Sequence, residues 1–186
     1  MIDAKKNTAV VFPGQGSQVI GMGADLYEKS SIAKDIFDEV DDTLGRKLTD
    51  IVFSGSQEIL NKTENAQPAI TATSLACFSV FKDKYKDFTP SVTAGHSLGE
   101  YTSLSASNAL SVSDTIRLVS ERGRLMQIAC DKNPGGMVAI IGMEIDVVEE
   151  VCREAGAYPS NINSSQQVII SGDNDSLAIA VDLAKA

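Results

Sequence analysis

The stretch Val92-Thr-Ala-Gly-His-Ser-Leu-Gly-Glu-Tyr101 decides how the rest of the chain is read. Within it, Gly95-His96-Ser97-Leu98-Gly99 fits the pattern Gly-x-Ser-x-Gly. In that pattern an apolar strand turns sharply into a helix, and the turn lifts the serine oxygen out of the sheet. The glycines leave room for the strained turn and for close packing of the helix. The helix N-terminus adds positive potential where an oxyanion would form, and the Leu98 N–H is one expected donor to it. Ser97 is therefore a candidate nucleophile, with an ordinary turn serine as the alternative. A nucleophilic serine needs a base, and the chain has a single histidine, His96, directly beside it. Adjacent side chains on a sharp turn point in different directions, so His96 reads better as a residue that packs and hydrogen-bonds beside the elbow than as the base.

Upstream, "TAVVFPGQGSQ" (8–18) predicts a buried strand over Thr8 to Phe12, followed by a glycine-rich turn. The turn is neither a P-loop nor a dinucleotide fingerprint, because no Gly-Lys-Ser/Thr follows and Val19 stands where the third glycine would be. It still exposes backbone N–H groups at the carboxyl edge of a sheet, where open α/β sheets bind ligands. The N–H of Gln15 could supply a second oxyanion donor; a plain tight turn is the alternative.

Between these segments, Ser30 to Leu44 predicts an amphipathic helix ended by Gly45. "NAQPAITATSLACFSVF" (65–81) predicts a helix started by Pro68, small or apolar nearly all round and so buried on several sides. A further helix is expected from Ser113, as N-cap, to about Ala129. On its helical wheel Arg122 falls within the apolar stripe, with Leu118, Leu125 and Ala129 to one side and Thr115, Val119 and Met126 to the other. A guanidinium there needs an anion, whether a structural Asp or Glu or a substrate carboxylate or phosphate, unless it snorkels to the surface. After "DKNPGG" (131–136) the pattern becomes β-α-β-β-α, the split βαβ unit of ferredoxin-like folds without its last strand. That ending leads us to expect a fragment of a longer protein.

Composition narrows the class. The chain has 186 residues, 43% of them hydrophobic, and a net charge of −9. It can bury a core, and its acidity argues against nucleic acid or an anionic membrane as a general partner. No apolar run is long enough to span a bilayer, and the polar N-terminus does not resemble a secretory signal. Three scattered cysteines without a Cys-x-x-Cys indicate free thiols in a reducing compartment and make a zinc site improbable.

Taken together, "VVFPGQGSQ" (10–18), "NAQPA" (65–69), "AGHSLGEY" (94–101), "RGRLMQ" (122–127) and "NINSSQQVIISG" (161–172) resemble, in order and spacing, the malonyl-CoA:acyl carrier protein transacylases. The resemblance covers essentially the whole chain. It implies an α/β fold with an α/β-hydrolase-like large subdomain, incomplete here over residues 1–132, and a ferredoxin-like small subdomain over 133–186. It implies transfer of a malonyl group from coenzyme A to Ser97 and then to acyl carrier protein in cytoplasmic fatty acid biosynthesis, with no metal or organic cofactor. By the same resemblance, the N–H groups of Gln15 and Leu98 form the oxyanion hole. Arg122 pairs with the malonyl carboxylate, and Gln67, Asn161, Asn163 and His96 line the substrate site. The family's base histidine lies well downstream, so the missing C-terminal part of the same protein is expected to complete the site. The rival readings are a serine hydrolase or thioesterase, a polyketide-type acyltransferase domain, and a non-catalytic fragment that binds carrier protein.

Overall fold

The computed structural model describes residues 7–185, an α/β arrangement that divides into two compact units parting between Gln127 and Ile128. The first unit opens with strand β1 (Ala9–Phe12) and continues through helices α1 (Ala24–Lys29), α2 (Ser31–Leu44), α3 (Leu48–Ser54), α4 (Gln57–Asn61) and α5 (Thr63–Lys84). Strand β2 (Val92–Gly95) follows, then helix α6 (Gly99–Ala106) and helix α7 (Val112–Lys132). Strands β1 and β2 are parallel, with Ala9 opposite Val92 and Phe12 opposite Gly95. Parallel pairing requires a crossover, here built from five helices. It also brings the two turns that leave the strands to the same edge, the one at which α/β sheets carry their ligands.

Local sequence explains most helix ends. Ser30 caps α2 by accepting a hydrogen bond from the Ala33 N–H, and Gly45 ends the helix at φ 63°, a conformation that suits glycine. The inner face of α2, Ala33, Phe37 and Val40, is buried, and Phe37 meets Tyr27 and Phe53 at ring-centroid distances of 5.9 and 5.2 Å. Buried beside them, the Asp41 carboxylate accepts from the Thr49 N–H at 3.1 Å and from the Thr49 hydroxyl at 2.6 Å, with Lys47 Nζ 3.3 Å away. Asp41 thus satisfies the first turn of α3 from another helix.

Strand β1 is not buried along its length as the sequence predicts, since Val11 is 73% exposed and only Phe12 is buried, and two helix starts also differ. Helix α5 begins at Thr63, so Pro68 lies inside it rather than at its start. Proline has no N–H to offer the carbonyl four residues back, that of Glu64. Arg46 supplies the missing donor, its Nη2 lying 3.3 Å from the Glu64 oxygen. Residues 65–72 of α5 are buried without a break, as a central helix should be. Helix α7 begins at Val112, and its cap is Ser111, whose Oγ accepts from the Asp114 N–H at 3.0 Å. Ser113 instead donates to Glu39 Oε1 at 2.6 Å. Where α7 crosses α5, Gly123 is required: a Cβ there would sit 2.6 Å from the Thr63 oxygen.

The second unit runs β3 (Gly136–Ile141), α8 (Ile145–Ala155), β4 (Tyr158–Ser164), β5 (Gln167–Gly172) and α9 (Asn174–Lys185). Its sheet has the order β3-β5-β4, antiparallel throughout. Ile140, Val168 and Ile170 of the sheet share a core with Val148, Val151 and Cys152 of α8 and with Leu177 and Ala180 of α9. Asp173 caps α9, accepting from the Ser176 N–H at 2.8 Å. Among the described residues, no helix is long and apolar enough to cross a membrane, and no cluster of three or more His, Cys, Asp or Glu could hold a metal ion.

Replacing Asp41 by alanine leaves the Thr49 N–H and hydroxyl buried without an acceptor. We expect a loss of about 1–3 kcal/mol, the usual penalty for stranded buried donors. Asp41→Asn, which keeps one acceptor, should lose less. Urea denaturation of the three proteins checks this; equal midpoints would show that the Asp41–Thr49 bonds contribute nothing.

Candidate active site

Strand β2 delivers the chain to the elbow, and backbone contacts hold the turn tight. The His96 N–H donates to the Phe12 carbonyl at 3.1 Å, continuing the β1–β2 ladder by one residue. Gly99 N–H bonds back to His96 O, Glu100 N–H to Ser97 O and Tyr101 N–H to Leu98 O, each at 2.9–3.1 Å, so α6 starts within two residues. The turn needs its glycines. A Cβ on Gly95 would lie 1.9 Å from the Gly99 carbonyl carbon, and one on Gly99 would lie 2.3 Å from the Phe12 oxygen. Ser97 adopts φ 51°, a left-handed conformation unusual for a residue with a side chain. Strain of this kind persists where the surroundings over-determine it, and it concentrates at functional sites. The buried Leu98 side chain anchors the turn from below, while Ser97 stays exposed.

His96 is exposed, and its ring lies on the side of Gly14: a Cβ at position 14 would sit 2.7 Å from His96 Nδ1. The glycine-rich turn is thereby brought against the elbow. The N–H groups of Gln15 and Leu98 make no hydrogen bond to a backbone carbonyl among the described residues. The turn is held by a carboxamide cluster that sequence reasoning missed. Gln18 Oε1 accepts from the Gly16 N–H at 2.8 Å, and Gln18 Nε2 donates to Asn61 Oδ1 at 3.0 Å. Gln57 accepts from the Ile20 N–H at 3.2 Å and donates to Asn61 Oδ1 at 2.8 Å and to the Gln18 carbonyl at 3.3 Å. Three scattered polar residues carry no periodic signal, and only the fold brings α4 beside this turn.

Arg122 reaches the elbow from α7. Its Nη2 donates to Ser97 Oγ at 3.0 Å and its Nη1 to Gln67 Oε1 at 2.6 Å. Gln67 is fully buried, and its Nε2 donates to Met126 Sδ at 3.1 Å and to Gln15 Oε1 at 3.5 Å. The Arg122 guanidinium also stands over the Tyr101 ring, 5.8 Å from its centroid. The helical-wheel expectation needs correction on one point. The buried face of α7 is Thr115, Ile116, Val119 and Gly123, while Leu118 and Leu125 are about half exposed, so Arg122 borders the core rather than centring in it. No carboxylate forms an ion pair with it among the described residues; the groups that meet it are an amide, a hydroxyl and a ring. Its charge is held in place yet left without a counter-ion.

The structure therefore gathers Ser97, Leu98, His96, Gln15, Gln67 and Arg122 in the first unit. Asn161 and Asn163 belong to the second, both on β4. Asn161 stands opposite Ile169, and Asn163 Nδ2 donates to Gln167 Oε1 at 3.0 Å. Tyr101 and Met126 were not predicted. Tyr101 could have been found, since it follows Ser97 by one helical turn.

Chemically, the arrangement presents a hydroxyl on a strained turn, two N–H groups nearby without backbone acceptors, and an uncompensated cation. It suits an acyl group that carries its own negative charge. A family model described as an acyl transferase domain matches residues 9–186. The chain is 44% identical over 182 residues to a malonyl CoA-acyl carrier protein transacylase of Bacillus subtilis, covering 95% of this chain and 57% of that protein. It is 43% identical to the Haemophilus influenzae protein of the same name, covering 97% and 59%. Among solved structures, a malonyl-transacylase in complex with a type II polyketide synthase acyl-carrier protein aligns at TM-score 0.90 and 40% identity, over 97% of this chain and 59% of that one. An acyl-carrier-protein S-malonyltransferase from Bartonella henselae aligns at TM-score 0.89 and 41% identity, over 97% and 59%. The chain thus spans somewhat over half the length of these relatives.

If the carboxamide cluster holds the turn at Gln15, Gln57→Ala should speed amide hydrogen exchange at Gly16 and Ile20 by roughly tenfold, the equivalent of one hydrogen bond. Exchange in β5 should not change. Unaltered protection at Gly16 and Ile20 would show that the turn is held by other means.

Proposed function

We propose that this chain, which belongs to the acyl transferase domain family, bears the nucleophile and the carboxylate-recognising cation of a malonyl transfer site. The observation that carries the reading is the Arg122 guanidinium, 3.0 Å from Ser97 Oγ and without a carboxylate partner among the described residues. A malonyl group differs from an acetyl group by a carboxylate that stays charged at neutral pH. Bringing that charge into a partly desolvated site is costly unless a fixed cation meets it. A guanidinium can do so with two parallel hydrogen bonds, which also fix the direction in which the rest of the acyl group points.

The chemistry then follows from position. Ser97 Oγ attacks the thioester carbonyl of malonyl-CoA, forming a C–O bond. The oxyanion that develops is met by the N–H groups of Gln15 and Leu98, at the positive end of α6. The C–S bond breaks, coenzyme A leaves as its thiol, and malonyl remains on Ser97 as an ester. Attack by the phosphopantetheine thiol of acyl carrier protein reverses these steps and releases Ser97. The Ser97 proton needs an acceptor in the first half, which hands it to the leaving coenzyme A thiolate; in the second half the same acceptor takes the phosphopantetheine thiol proton and gives it to Ser97. Arg122 has no lone pair to accept it. His96 turns its ring toward Gly14, so the acceptor is assigned to a group outside this set of side chains.

Finer features belong to the same reading. The parallel β1–β2 pair ending in an elbow supports an α/β-hydrolase-like large subdomain over residues 1–132. The β-α-β-β-α order with its β3-β5-β4 sheet supports a ferredoxin-like small subdomain over 133–186. Unpaired cysteines and the acidic composition suit a cytoplasmic enzyme of fatty acid synthesis that needs neither metal nor organic cofactor. A thioesterase acting on neutral acyl groups fits less well, because it would leave Arg122 nothing to bind.

Incubated with malonyl-CoA, the wild-type chain should gain the mass of one malonyl group on Ser97, and Ser97→Ala should gain none. Acylation should be slow and should rise with added imidazole, since general-base assistance contributes roughly 10²–10⁴-fold. An adduct elsewhere would end the nucleophile assignment. Arg122→Ala should weaken malonyl transfer by about 2–5 kcal/mol, the range for stranding one member of a desolvated charge pair, and affect acetyl-CoA far less. Arg122→Lys should fall between, keeping the charge and losing the fork. Equal losses on malonyl-CoA and acetyl-CoA in Arg122→Ala would make Arg122 structural.

A further inference from the structure

We infer that Tyr101 is a specificity-determining positioning residue: its ring is the platform that keeps the Arg122 guanidinium in the plane needed to receive a substrate carboxylate. The inference rests on the malonyl-transfer reading and adds to it a residue that recognises no part of the substrate itself.

Three contacts restrain the guanidinium. Two lie in its plane, Nη1 to Gln67 and Nη2 to Ser97 Oγ. The third is with the Tyr101 ring, over which the guanidinium carbon stands 5.8 Å from the centroid, within the range of a cation–π contact. While the hydroxyl is free, the two in-plane bonds define the plane without help. Once Ser97 Oγ is acylated it becomes an ester oxygen, a much weaker acceptor. An incoming carboxylate also competes for the Nη2 protons. At that stage Gln67 alone restrains the plane from within it, and a single hydrogen bond permits rotation about its own axis. The Tyr101 ring opposes that rotation.

The position of Tyr101 in the chain strengthens the case. It lies on the first turn of α6, directly beyond the elbow, and its N–H bonds to the Leu98 carbonyl at 3.1 Å. Nucleophile and platform therefore ride on one rigid segment, tied down by the buried Leu98 and by Gly99 against Phe12. Arg122 comes from a different helix, and its contacts with Gln67, Ser97 and Tyr101 bring it into register with the nucleophile. A carboxylate held by Arg122 is in this way set at a fixed distance from the carbonyl that Ser97 attacks. An acetyl group has no carboxylate and gains nothing from the platform.

The test uses the whole chain as wild type, Tyr101→Phe and Tyr101→Leu, each checked for native circular dichroism. One readout is the Ser97 acylation rate with malonyl-CoA and with acetyl-CoA, followed by intact mass in the presence of imidazole. The other is the NMR shift of the Arg122 guanidinium protons, which a ring face moves upfield whatever the protein's function. In Tyr101→Leu we expect the upfield shift to vanish and the malonyl-to-acetyl rate ratio to fall roughly threefold to tenfold, the equivalent of one cation–π contact. Tyr101→Phe, which keeps the ring, should retain both. Loss of the shift with an unchanged ratio would overturn the specificity role. An unchanged shift in Tyr101→Leu would overturn the platform itself. A wild type that shows the shift but does not prefer malonyl-CoA would overturn the malonyl reading and the specificity role resting on it, leaving the ring contact standing.

Discussion

The close approach of the 95–99 turn to the end of β1 is the constraint on which the site depends. Gly95 faces the Gly99 backbone, and Gly99 faces the Phe12 and Pro13 carbonyls, with no room for a Cβ at either position. Because the backbone passes so close, α6 can start almost at the sheet edge, and Ser97 is forced to φ 51°. A left-handed serine in isolation costs of the order of 1–3 kcal/mol. Here the cost is offset by the ladder bond from His96 to Phe12 and by the fully buried Leu98. The strain and the exposure of the hydroxyl thus have a single origin.

A second constraint is polar. Gln67 sits at zero exposure in the middle of α5, and a buried carboxamide must be satisfied. It meets Arg122 on its oxygen side and Met126 and Gln15 on its nitrogen side, so one buried side chain ties α7, α5 and the glycine-rich turn together. Neutral partners suffice to orient the guanidinium but do not cancel its charge. A carboxylate partner would have stabilised the resting protein and closed the site to an anionic substrate. On the proposed reading, the cation left uncompensated beside Ser97 is what a charged acyl group would meet.

Much of this was legible in the sequence, for local reasons. The elbow could be read because Gly-x-Ser-x-Gly after an apolar strand encodes its own geometry. The end of α2 at Gly45 could be read because a glycine stop is a local signal. Where reading failed, a distant residue had intervened. Pro68 looked like a helix start because nothing near it in sequence can replace its missing N–H; Arg46, 22 positions earlier, does so. Ser113 looked like a cap, but Ser111 holds the right spacing to the Asp114 N–H, and Glu39 of α2 engages Ser113.

By itself the sequence determined most of the elements, though not the short helices α1, α3 and α4, together with the order of the motifs and the identity of the candidate nucleophile, because each of these rests on neighbours within a turn or two along the chain. It also marked Arg122 as a cation needing an explanation. It could not say which partner Arg122 has, since periodicity reports which face a residue occupies and not what lies opposite. Only the tertiary structure decided that the partner is Gln67 and the Ser97 hydroxyl, with the Tyr101 ring beneath, and that Gln18, Gln57 and Asn61 clasp the turn at Gln15. Those contacts join residues 21 to 55 positions apart, except that between Gln57 and Asn61 within a single helical turn. Hydrogen bonds over such separations exist only once the packing of α5 and α7 around Gly123 has brought their donors and acceptors within about 3 Å.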